Sequence, residues 1–280
     1  MEICVSTFIC NKESVLDALP VFADSAIKNL EAWGAFNFGN EDHFPYRENG
    51  YANRLTDKLE KFGIKIRTMH APFSEILDIS SLDESLRKEA VNEIKTAVSV
   101  FRRLPGAETV IIHPGGILSR NEEEKLRLVQ SRKSLVELDQ ALLENKLCLA
   151  AENMLPGLVG WHPSDLSFLI EGLPNTGICL DTGHAHISGV LEAVLKTLKD
   201  KIISFHLSDT CDSVDRHLVP FEGTIDWPDF RKKALDRKRP AFLTFETRGR
   251  GDLNKTLQEI KTAFNKLTTG RADGNNIKRN

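Results

Sequence analysis

Short apolar runs alternate along this chain with longer stretches in which apolar residues recur at i, i+3 and i+4. The runs fall at residues 2–8, 27–33, 64–70, 109–113, 147–152, 177–181, 202–206 and 241–246, and clear helical periodicity lies at 82–104, 122–145 and 253–267. Strand and helix alternating with no shift in composition predict repeated βα units around a parallel sheet. Eight such units predict an α/β fold, a single closed (β/α)8 TIM barrel over residues 1–267. Residues 268–280 are polar and aperiodic and read as a flexible C-terminal tail.

The run at 177–181 carries the first chemical signal. Gly177-Ile178-Cys179-Leu180 has no polar face, yet it ends in Asp181, with His184 three positions on. A carboxylate at the mouth of a buried strand must be hydrogen-bonded or metal-bound, since an unpaired buried charge is costly. The bland alternative is an Asp that caps the next turn, with His184 and His186 as surface histidines. The other runs tip the balance: they end at Glu31 and Trp33, His70, His113, Glu152, His206 and Glu246. Barrels of this class place active sites at the C-terminal ends of their strands, so this ring converges on the axis.

Glu152, Asp181, His206 and Glu246 come from four successive strands and offer one cation three carboxylates and an imidazole. That ligand set suits Mn²⁺, Co²⁺ or Mg²⁺, and Zn²⁺ in a site open to substrate. His70 and His113, on neighbouring strands, share Glu152 for a second ion. Asp215 and His217, flanking Arg216, join His184 in a third, unless the D-R-H segment is only a solvated loop.

Composition narrows the partners. The 280 residues are 41% hydrophobic and 28% charged, enough for one large core. The net charge is −3 and the pI about 6.3, so no global basic field recruits nucleic acid and a small-molecule substrate is favoured. The five cysteines form no C-x-x-C pair and read as small core residues in a reducing compartment. With no basic leader and no apolar run of ~20 residues, the chain reads as cytoplasmic and without membrane contact. Oligomeric state is not legible.

The series HAPF (70–73), IIHPGG (111–116), AEN (151–153), LDTGHAHISG (180–189), FHLSD (205–209), DRHLVPFEGTIDW (215–227) and FET (245–247) resembles the xylose isomerase-like TIM-barrel superfamily. That group includes sugar and sugar-phosphate isomerases and epimerases, and the DNA-repair enzyme endonuclease IV. By that resemblance, Glu152, Asp181, His206 and Glu246 match the metal site shared by its sugar isomerases and epimerases. His70, His113, His184, Asp215 and His217 match the added ligands with which endonuclease IV holds three zinc ions. The strand-two segment IKNLEAWG looks like the sugar-isomerase side, and the loop from His206 to Asp215 is short beside the endonuclease's. One departure stands out: in the P-x-G-E-G stretch after strand seven, this chain reads Pro220-Phe221-Glu222-Gly223, with Phe in place of the first Gly.

The expectation is a divalent-metal-dependent isomerase or epimerase acting on a small sugar, phosphorylated or not, by enediolate proton transfer. Glu152 and Glu246 serve as acid and base. On the substrate side stand Glu31, Trp33 as a stacking surface, Arg216, and Arg248 and Arg250 for a phosphate. The alternative is an endonuclease IV-like phosphodiesterase using up to three zinc ions on DNA. A sugar-binding barrel without catalysis is set aside, because four converging ligands exceed what binding needs.

Overall fold

The computed structural model describes residues 1–34, 43–74, 76–118, 121–235 and 242–270. Eight parallel strands pair in chain order and close into a barrel: β1 (Glu2–Ser6), β2 (Asn29–Trp33), β3 (Lys65–His70), β4 (Thr109–Ile112), β5 (Cys148–Glu152), β6 (Thr176–Asp181), β7 (Ile202–Leu207) and β8 (Phe242–Phe245). The start of the eighth expected run, Ala241, lies outside the described residues. Continuous apolar runs arise because each strand is covered on both faces, by helices outside and by the other strands inside. β1 ends two residues before its run does, because Thr7–Cys10 tightens into a 3-10 turn capped by Ser6.

The helices ring the barrel: α1 (Val15–Asp24), α2 (Tyr51–Phe62), α3 (Glu84–Phe101), α4 (Asn121–Glu144), α5 (Pro163–Ile170), α6 (Thr182–Ile187), α7 (Leu191–Thr197), α8 (Trp227–Ala234) and α9 (Leu253–Thr269). In α3 the buried positions Ala90, Val91, Ile94, Ala97, Val98 and Phe101 form one stripe, and Asp83 caps its start by accepting from the Ser85 and Leu86 N–H groups. α9 takes Thr268 and Thr269 from the expected tail: their hydroxyls donate to the Phe264 and Asn265 carbonyls, and left-handed Gly270 stops the helix. The remainder of that tail, 271–280, lies outside the described residues. Among the described residues no helix is long and apolar enough to cross a membrane. Cys4, Cys10 and Cys179 are buried as expected, whereas Cys148 and Cys211 are exposed.

Alternate strand residues share a face, so the inward positions fall into two layers. The lower layer is compact, with Thr68, Ile111, Ala150, Cys179, Ser204 and Thr244 all buried or nearly so. Two residues further along each strand stand His70, His113, Glu152, Asp181, His206 and Glu246. The register aligns Trp33 with His70 and Asp181 with His206, so the polar ends meet at one mouth.

Candidate metal centre

The side chains of Glu152, Asp181, His206 and Glu246 each offer a ligand atom, and these atoms lie within 4.8 Å of one another. All four residues are at most 4% exposed. Glu152 Oε2 and Asp181 Oδ2 are buried without a hydrogen-bond partner. Three carboxylates this close and dry repel one another unless a cation or protons lie between them. The strain shows in Asp181: burial pushes its carboxyl up, against the pull of His184 and reinforced by Glu152, Asp215 and Glu246, to about 6. His206 Nδ1 faces Glu152 Oε1 at 3.0 Å and Glu246 Oε2 at 3.3 Å. A nitrogen lone pair cannot face carboxylate oxygens so closely without a proton or a metal between, and an oxygen-rich set with one imidazole fits a divalent ion.

The other histidines are pre-aimed. His70 Nδ1–H donates to the Ala71 carbonyl at 3.1 Å, His184 Nδ1–H to Asn153 at 2.9 Å and His217 Nδ1–H to Glu246 at 2.9 Å. Each bond fixes the ring and turns Nε2 toward the mouth, the usual support of a metal-binding imidazole. His70 Nε2 and His113 Nε2 stand 3.1 Å apart, each 3.4 Å from Glu152 Oε2. Burial and the neighbouring His70 push His113 down to about 4, so it is neutral and able to ligate. On the other flank Asp215 Oδ2 lies 3.3 Å from His184 Nε2 and 2.9 Å from His217 Nε2. Burial opposes charge on Asp215, but these two imidazoles hold its carboxyl well below the usual range. All nine residues singled out as ligands therefore meet in one mouth, as a central four-residue set and two flanking groups.

The model of the "Xylose isomerase-like TIM barrel" family matches residues 27–267. The chain belongs to that family. An uncharacterised protein of Methanocaldococcus jannaschii is 26% identical over 194 residues, covering 69% of this chain and 76% of that protein. A probable endonuclease 4 of Mycoplasma genitalium is 25% identical over 200 residues, covering 65% of this chain and 66% of its own length; the chain thus spans just under two thirds of that relative. Among solved structures, a D-tagatose 3-epimerase-like protein superposes with a TM-score of 0.82 at 23% identity, covering 96% of this chain and 99% of the other. The IOLI protein with a bound zinc atom superposes with a TM-score of 0.82 at 16% identity over the same shares. At these identities the structures establish the fold. The family's epimerases, isomerases and endonuclease 4 are enzymes, and the bound zinc is a feature of the IOLI protein.

Above the ligands this family member has a cavity of about 720 Å³, lined by Phe8, Trp33, Phe73, Met154, Leu155 and Leu158 as well as by His70, His113, Glu152 and Glu246. Trp33 packs on Phe8 with centroids 4.8 Å apart, and both line the cavity. Arg248 also lines the cavity. Two expected phosphate or substrate contacts do not: Arg250 is paired with Glu222, and Arg216 with Asp212. Glu31, expected at the mouth, does not line it either. Its register partner is Thr68, which puts it in the lower layer, fully buried, where Oε2 lies 3.1 Å from His206 Nε2.

Sequence reasoning also missed two supporting residues. Asn153, beside Glu152 in the AEN motif, is bonded twice to the Asp181 backbone and once through its own carbonyl to His184. Asp209 accepts from the Phe221 and Ile225 N–H groups and from Trp227 Nε1–H at 2.7 Å, shaping the loop after β7. In that loop Phe221 holds φ at 79°, the left-handed region where the family's Gly fits without strain. Its ring packs on Trp227 at 5.7 Å and under Lys266 Nζ at 3.9 Å, contacts that offset the strain. Gly223 is still required, since a Cβ there meets Asp209 Oδ1 and the Thr210 carbonyl at 2.3 Å.

Proposed function

We propose that this chain is a divalent-metal-dependent isomerase or epimerase of a small sugar. One observation carries the choice: the ligand cluster opens into a cavity of about 720 Å³ walled by apolar side chains. That is the size and character of a small-molecule site. Among the described residues lining it, Arg248 is the sole lysine or arginine, whereas a DNA surface must neutralise several phosphates.

Glu152, Asp181, His206 and Glu246 would hold a divalent ion, which would supply Lewis-acid stabilisation of the charge that grows on a hydroxyketone's oxygens as the neighbouring C–H ionises. Glu152 reaches the cavity from the end of β5 and Glu246 from the position directly after β8. For epimerisation two proton carriers matter chemically, because a single base that removes and returns a proton on one face leaves the configuration unchanged. One carboxylate takes the proton from carbon and the other delivers a proton to the opposite face. Trp33 and Phe8 offer an apolar surface to the sugar's C–H face. Arg248, exposed on the rim, is placed to bind a distal hydroxyl or phosphate.

A second reading, a zinc phosphodiesterase like endonuclease IV, is favoured by the flanking groups His70–His113–Glu152 and His184–Asp215–His217. The two separate in one experiment. Protein loaded with Mn²⁺ or Zn²⁺ is incubated in D₂O with a panel of ketopentoses and ketohexoses, and in parallel with abasic-site duplex DNA. The proposal expects solvent deuterium at the carbon beside the carbonyl; zinc-dependent DNA incision without exchange on any ketose replaces it by the second reading.

A further inference from the structure

Glu31 is an acid buried inside the barrel that proton transfer at the cavity does not use. It is 0% exposed on β2, and its Oε2 accepts Thr68 Oγ1–H at 2.8 Å while lying 3.1 Å from His206 Nε2. Its Oε1 is buried with no hydrogen-bond partner. A structural role alone would be served by a neutral side chain. A carboxylate here adds negative charge beneath three other carboxylates, a cost that needs a compensating cation nearby.

The compensation runs through His206, the one imidazole of the central set. His70, His184 and His217 fix Nδ1 on main-chain carbonyls and present Nε2. His206 is turned over, presenting Nδ1 to Glu152 and Glu246 and burying Nε2 against Glu31. In a neutral imidazole, the hydrogen bond made by one nitrogen decides which nitrogen keeps its lone pair.

We propose that Glu31 is the positioning residue of the metal centre: by accepting Nε2–H it locks His206 in the tautomer whose Nδ1 lone pair faces the ion, and it fixes the ring plane. The role rests on the reading that a cation sits among Glu152, Asp181, His206 and Glu246. A carboxylate is the stronger acceptor, and by drawing on the Nε2 proton it makes Nδ1 a better donor to metal. Thr68, from the adjacent strand, holds the carboxylate in place.

Zinc affinity by calorimetry tests this on the unmodified protein, Glu31→Leu, Glu31→Gln and Thr68→Val, each checked for an intact cooperative melt. Glu31→Leu is expected to weaken binding by about 10–100-fold, the usual loss when a ligand's supporting partner is removed. Glu31→Gln, whose amide oxygen still accepts Nε2–H, recovers most of that loss, and Thr68→Val gives a smaller one. In a His206→Asn background Glu31→Leu has no further effect, as a residue acting through His206 requires. In ¹H–¹⁵N spectra of the zinc-loaded protein, the His206 Nε2–H signal is present in the unmodified chain and lost or shifted in Glu31→Leu. Should Glu31→Leu fail to fold, Glu31→Gln and Thr68→Val carry the same spectroscopic and affinity tests. Equal zinc affinity across the folded variants overturns the proposal, as does an equal loss in the His206→Asn background. Failure of the unmodified protein to bind any divalent ion removes the centre itself, a separate result that also ends this role.

Discussion

Asn153 and Asp181 hold each other by two buried hydrogen bonds: Asn153 Nδ2 donates to the Asp181 carbonyl at 3.0 Å, and the Asp181 N–H donates to Asn153 Oδ1 at 2.8 Å. The Asn153 carbonyl also takes the Nδ1 proton of His184. One residue after β5 thus fixes the strand end that carries Asp181 and helps aim a second ligand. Asn153→Ala leaves a buried N–H and C=O unsatisfied, at about 1–3 kcal/mol each. Denaturant unfolding should register a loss of that order together with weaker metal binding; unchanged values in both would leave Asn153 without this role.

Glu246→Gln removes both an anionic ligand and a proton carrier while keeping the shape. Turnover should fall by about 10²–10⁴-fold, the range for a lost general acid–base group, with the melt preserved. Full activity in that variant would take Glu246 out of the mechanism.

Metal binding should weaken as pH falls. Without an ion, burial disfavours charge on His206 and His184, but the acids around each outweigh burial and hold both imidazoles well above their ordinary value. Burial raises Asp181 to about 6. The two imidazoles are then already protonated near neutrality and each must shed a proton to ligate, and Asp181 takes up its own proton as the pH falls toward 5. With more than one proton released per ion, affinity should drop by more than about tenfold per pH unit across the acidic range. Calorimetry at stepped pH that finds a flat affinity would contradict this assignment.

Asp215 and His217 distinguish the two readings. Changing both to Ala leaves His184 alone of the flanking set and leaves the central four residues whole. The isomerase reading expects the central ion to stay bound and deuterium exchange to fall modestly. A loss of several orders of magnitude, with departure of one zinc, would move the assignment to the phosphodiesterase.

The barrel was legible because parallel strands covered on both faces leave apolar runs that end abruptly in a polar residue, as in Leu180-Asp181 and Phe205-His206. The polar residues that converge on the mouth were read from those ends. Depth did not: Glu31 and Trp33 share a face two residues apart, and the pairing of Glu31 with Thr68 sets one below the other. The fates of Arg216 and Arg250 were equally hidden, since their acidic partners are fixed by loop geometry rather than spacing. Asn153 carried a faint signal as an amide directly after a ligand. Phe221 ran against the rule that glycine takes left-handed positions, because ring contacts from Trp227 and Lys266 come from other elements.

Metal analysis of the purified protein and of Asp181→Asn tests the centre most directly. A cation held by Glu152, Asp181, His206 and Glu246 predicts about one tightly bound divalent ion per chain in the unmodified protein. In Asp181→Asn it predicts a marked loss of that ion and a lower melting temperature. An unmodified protein with no bound divalent ion and a melt indifferent to chelators, or an unchanged metal content in Asp181→Asn, would contradict it.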